Sequence, residues 1–205
     1  MEEQNPWWKG REFVKEDPDL RKWHESKIRW IPRLRETVEL KPFSLNFLFG
    51  PRQVGKTTLV KLIIEKILES QVDPRAIFYY RCDRLSDHSE LYELIRSYLK
   101  FKRALGLKNA YIFLDEVTFP REWYRAIKYL IDAGELEGDV LFLTGSWSMF
   151  VRREVEAFPG RRGHGRNYNL NPLSFREFLK LRNPGVTVDE VSELDSEEIW
   201  RKCVS

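Results

Sequence analysis

Gly50-Pro51-Arg52-Gln53-Val54-Gly55-Lys56-Thr57 matches the pattern G-x-x-x-x-G-K-[ST] in full, and Thr58 follows it. A loop of this spacing folds back so that consecutive backbone N–H groups face a phosphate, and glycines permit the close approach. A helix opening at Gly55 adds the positive end of its dipole. Lys56 offers a point charge to β- and γ-phosphates, and Thr57 a hydroxyl to Mg²⁺. The bland alternative is a glycine turn before a helix that binds nothing. The flanks argue against it: the apolar run Leu45-Asn46-Phe47-Leu48-Phe49 precedes the loop, and a helical pattern follows.

Asp115-Glu116 ends a second apolar run, Tyr111-Ile112-Phe113-Leu114. A carboxylate there can hold Mg²⁺ through a water beside Thr57, and the adjacent glutamate can polarise an attacking water as general base. Two acids after a strand also suit a helix cap; the glycine loop is what favours the metal reading. No N-K-x-D signature for guanine occurs. Thr144-Gly145-Ser146 ends a further run, Val140-Leu141-Phe142-Leu143. Ser146, or Thr144, can orient a water there, and Ser146 can equally be a plain helix N-cap. Arg152, Arg153, Arg161, Arg162 and Arg166 crowd a region whose acids are Glu154 and Glu156. Three readings stand: an arginine finger lent to a neighbouring subunit, contacts to nucleic-acid phosphates, or a solvated basic loop.

These residues need a scaffold, and the patterning supplies one. Strands are expected at 45–49, 76–80, 111–114, 140–143 and 168–170. Between them lie helical patterns at 57–70, from Asp87 onward, at 120–132 and from Ser174 to Leu181. Asp87 with Glu90, and Ser174 with Glu177, have capping-box spacing, and Gly134 is placed to end the third helix. Strands alternating with helices specify a mainly parallel α/β sheet. Residues 1–44 read as a charged arm holding Trp7, Trp8, Trp23 and Trp30, with the tryptophans packing it onto a core at 45–183. Trp30 and Ile31 are candidates to cover an adenine ring. Residues 184–205 read as an acidic linker with one short helix.

Composition narrows the class. With 42% hydrophobic and 33% charged residues, the 205-residue chain has both a core and a charged surface. Cys82 and Cys203 are its two cysteines, which excludes a disulfide scaffold. The three histidines are dispersed and make no zinc motif. No stretch approaches the ~18 apolar residues of a membrane span. The start, Met1-Glu2-Glu3-Gln4-Asn5, has no signal-peptide character, so the expected location is the cytoplasm. A net charge of +3 argues neither for nor against nucleic acid.

The wording of the motifs resembles a group of archaeal and bacterial AAA+-type P-loop ATPases of largely unknown role. The resemblance lies in residues 50–58, 111–117 and 143–146, in Pro159-Gly160-Arg161-Arg162-Gly163, and in Pro172-Leu173-Ser174-Phe175-Arg176-Glu177-Phe178. Asn5-Pro6-Trp7-Trp8 and Ser26-Lys27-Ile28-Arg29-Trp30 are similar to its archaeal branch. It implies a five-stranded parallel sheet of order 5-1-4-3-2, of the AAA+/ASCE type. ATP and Mg²⁺ are the implied ligands, Ser146 the γ-phosphate sensor, and Arg161 or Arg162 the finger, which requires a homo-oligomer. In this group a winged-helix-like part and a C-terminal domain usually follow, and the chain ends before either. The expected activity is ATP binding and hydrolysis, with Asp115 on the metal and Glu116 activating water. The alternative is a nucleotide-gated switch with little turnover, contacting nucleic acid through residues 152–166.

Overall fold

The computed structural model describes residues 1–146 and 158–182. Arg152, Arg153, Glu154, Glu156 and the acidic segment after residue 183 lie outside the described residues. Five segments pair as parallel strands: β1 (Ser44–Gly50), β2 (Ile77–Arg81), β3 (Tyr111–Asp115), β4 (Val140–Ser146) and β5 (Asn167–Asn169). Their order is β2-β3-β4-β1-β5. Read from the other edge, this is 5-1-4-3-2. The helices are α1 (Pro18–Glu25), α2 (Leu34–Thr37), α3 (Lys56–Leu68), α4 (His88–Ala104), α5 (Trp123–Asp132) and α6 (Phe175–Arg182).

Strands buried on both faces read as continuous apolar runs, and their alternate residues serve two cores. Leu45, Phe47, Phe49, Phe78, Ile112, Leu114, Leu141 and Leu143 pack with α4 and α5. Leu48, Ile77, Tyr79, Phe113 and Phe142 face the other way, toward α3 and the N-terminal arm. Asn46 is the polar exception in β1. It is fully buried, donates to Ser44 Oγ (2.9 Å) and Leu141 O (3.3 Å), and accepts from Arg166 N (3.0 Å), tying the segment before β5 to the central strand.

Two helix starts differ from the sequence expectation. Asp87 caps α4 by accepting from the N–H groups of Ser89 and Glu90, but Glu90 reaches back to Ser86 N rather than to Asp87 N. The third expected helix begins at Trp123, not at residue 120, because Arg121 N bonds to Ser86 O and Glu122 adopts a left-handed φ of 54°. Ser174 and Glu177 make the reciprocal capping-box bonds at α6.

The N-terminal arm closes the β2 edge with side chains. Asn5 Nδ2 donates to Tyr79 O (2.9 Å), and Tyr79 N donates back to Asn5 Oδ1 (2.7 Å). Arg81 N donates to Gln4 Oε1 (2.8 Å), and the indole N–H groups of Trp7 and Trp8 both donate to Ile77 O. An edge strand with unpaired backbone groups invites pairing with other chains, and these amides and indoles occupy them. Trp7 is fully buried, while Trp8 stacks on Phe101 and Tyr98.

Candidate nucleotide site

The carboxyl ends of β1, β4 and β3 lie side by side, so the sheet brings together the three motifs that the sequence keeps apart. β1 runs into the loop at Gly50. A Cβ there would come within 2.5 Å of Leu170 O, so the close approach of the segment after β5 requires glycine. Gly55, at φ 96°, caps α3 in a left-handed conformation with open space where a Cβ would sit. Among the described residues, the N–H groups of Gly55, Lys56, Thr57 and Thr58 donate to no acceptor within the protein. They are the orphan donors of a helix N-terminus, aligned with its dipole. Lys56 is buried, and its Nζ donates to the carbonyls of Gly50 (3.0 Å) and Pro51 (2.8 Å). Burial pulls its pKa down, Glu116 and Asp115 oppose this, and Arg52 adds to it.

Asp115 is fully buried at the end of β3. Its Oδ2 accepts from Thr57 Oγ1 (2.6 Å) and from the Tyr79 phenol (3.1 Å), while its Oδ1 accepts from the Thr144 hydroxyl. Burial, with the Asp115 charge adding to it, pushes the Tyr79 phenol far above its ordinary value, so it remains a donor. Thr144 Oγ1 also accepts from Glu116 N (3.0 Å), and Val117 N donates to Thr144 O (2.9 Å). The Thr144 hydroxyl therefore fixes the acidic pair, donating to Asp115 and accepting from Glu116 N. Glu116 itself has a φ of 52°. A non-glycine residue in this region costs about 1–3 kcal/mol, offset here by the two bonds that Glu116 N and Val117 N donate to Thr144. Ser146 sits opposite Gly50 in the β1–β4 register, between the loop and the acidic pair, and is half-buried.

An open cleft of about 640 Å³ lies over the loop, lined by Arg52, Lys56, Thr57, Glu116, Phe119 and the arm residue Lys22, among others. Trp30 and Ile31 do not line it. Trp30 packs against the core cluster on the α3 side and its carbonyl accepts from Trp23 Nε1 (3.2 Å), and Ile31 is about half exposed at the surface. Sequence reasoning missed Tyr79, which a strand pattern disguises as core, and the arm residues Asp19 and Lys22 at the cleft.

Arg161 and Arg162 are far from this cleft. Arg161 lies beside Ser44 and Leu141, at the opposite end of β1 and β4, and is paired to Asp132 through two contacts of 2.6 and 3.1 Å. Arg162 Nη2 donates to Asn167 (2.7 Å), and its guanidinium lies over the Phe47 ring. Arg166 pairs with Glu39.

The donor set suits a small hard dication. Thr57 and Asp115 present adjacent oxygens, and Mg²⁺ is ordinarily held by one or two protein oxygens plus phosphates and water. Among the described residues, no cluster of three or more His, Cys, Asp or Glu side chains could hold a metal by itself. Nor is any described helix long and apolar enough to cross a membrane.

Fold and site together define an α/β P-loop nucleotide-binding domain. The AAA domain family matches residues 42–179, and the chain belongs to that family. It is 30% identical over 149 residues to the uncharacterized protein MJ1544 of Methanocaldococcus jannaschii, covering 71% of this chain and 30% of that protein. The fold is similar to the ADP form of the Aeropyrum pernix ORC2 protein, with TM-score 0.50, 16% identity, and coverage of 74% of this chain and 48% of that one. It is also similar to the Aeropyrum pernix ORC1 protein in complex with DNA, at TM-score 0.50 and 16% identity, over 86% of this chain and 51% of that one. The chain therefore spans about half the length of these solved proteins, and less of its curated relative.

Proposed function

We propose that the chain binds MgATP at Gly50–Thr58 and hydrolyses it. The observation that carries this reading is the contact of Thr57 Oγ1 with Asp115 Oδ2 at 2.6 Å, beside four unpaired N–H groups and a buried ammonium. The N–H groups of Gly55 to Thr58 bind the β-phosphate oxygens, and Lys56 exchanges its carbonyl partners for phosphate. Thr57 and Asp115 would hold Mg²⁺, which when bound neutralises charge developing on the γ-phosphoryl group. Glu116 takes a proton from the attacking water, and Ser146 orients that water. ATP is preferred over GTP because no guanine-reading sequence exists, not because of Trp30 or Ile31.

Glu116→Gln separates this from a nucleotide-gated switch. It should retain ATP binding and lower turnover by about 10²–10⁴-fold. Wild-type turnover no faster than that of Glu116→Gln would leave the switch as the better reading. Arg161 is the better finger candidate of the two, because its partner Asp132 is exposed, while Arg162 is seated over Phe47. A finger acting on a neighbour's nucleotide makes activity per molecule rise with protein concentration.

A further inference from the structure

Lys61 interrupts the apolar run Leu59-Val60-Lys61-Leu62 on α3, and its side chain is only 2% exposed. Its Nζ lies 2.7 Å from Asp17 Oδ2, 3.2 Å from the centre of the Tyr79 ring and 5.1 Å from the Trp7 ring. Asp17 is equally buried. Its Oδ1 accepts from Asp19 N and Leu20 N, so the first turn of α1 fixes its orientation. The nucleotide reading gives no task to a lysine here. A buried ion pair is also a weak source of stability compared with apolar residues of the same volume.

What the pair touches is Tyr79. The ammonium lies against the face of its ring, a favourable cation–π geometry, and Asn5 clamps its backbone N–H and C=O. The ring is thereby held so that its phenol meets Asp115 Oδ2, the oxygen that Thr57 also bonds. Thr144 secures only Oδ1. Of the two donors on Oδ2, Thr57 would be shared with the cation, while the Tyr79 phenol makes no other hydrogen bond among the described residues.

We infer that Tyr79 is a positioning residue for the metal-site carboxylate, held in place by Lys61 with Asp17 and Asn5, so that the N-terminal arm is a working part of the Mg²⁺ site. This rests on the reading of Asp115 as a Mg²⁺ ligand.

The test is the affinity for a fluorescent ATP analogue, measured with Mg²⁺ and again with EDTA. The ratio isolates the contribution of the metal, which a purely structural role would leave alone. Tyr79→Phe keeps the ring and its packing, and should lower the ratio about tenfold, the size of one hydrogen bond to a charged group. Asp17→Asn retains an oxygen for the α1 cap but removes the charge facing Lys61, and should lower the ratio by less. Asp115→Asn should abolish the Mg²⁺ dependence. A wild-type ratio near one would overturn the metal reading and this inference together. A large wild-type ratio, abolished by Asp115→Asn yet retained by Tyr79→Phe, would overturn this inference alone.

Discussion

Lys56 and Lys61 leave the same helix about one and a half turns apart and end in opposite circumstances. Both are buried. Lys61 has a carboxylate at 2.7 Å and two aromatic rings around it, all supplied by the chain. Lys56 has two carbonyls and an open cleft, and no carboxylate within ion-pair distance among the described residues. A cation whose counter-charge is built in holds structure together. A cation left with neutral acceptors, beside N–H groups that also lack partners, suits an anion from outside, which is the task the proposed function gives it. Asp115 joins the two regions, since one of its oxygens meets Thr57 of the glycine loop and Tyr79 of the buried cluster.

Breaking the built-in pair should have the largest effect on stability. Asp17→Ala strands a buried ammonium and should cost about 3–5 kcal/mol, read as a lower urea midpoint. The double variant Asp17→Ala, Lys61→Met should recover much of that loss, because no buried charge remains. Lys56→Ala should change the midpoint without nucleotide by no more than about 1 kcal/mol, since only carbonyl contacts are lost. At the small end, Arg161→Ala removes an exposed pair and should leave the midpoint unmoved. Equal large losses from Asp17→Ala and Lys56→Ala would erase the distinction between the two lysines.

The parallel sheet, the glycine loop at its edge and the strand-end position of Asp115-Glu116 were legible in the sequence because each is local: a fixed spacing, an apolar run, a glycine at a turn. Asp17, Lys61 and Tyr79 were not legible, because their meaning comes from contacts between distant segments. Lys61 reads as a surface residue on a helix, and Tyr79 as an ordinary strand aromatic. Asn5 and Gln4 looked like polar residues of a charged arm, yet they complete the hydrogen bonding of β2. The shift of the α5 start from residue 120 to Trp123 has a similar origin, since the Arg121–Ser86 bond is tertiary and carries no local signal.

The most direct measurement is titration of the wild type and of Lys56→Ala with a fluorescent ATP analogue in the presence of Mg²⁺, with the fold of each checked by its denaturation midpoint. The loss of a charged donor from two phosphates should weaken binding by about 100-fold or more in a variant that is still folded. Unchanged affinity in folded Lys56→Ala would contradict the assignment of Gly50–Thr58 as the nucleotide site.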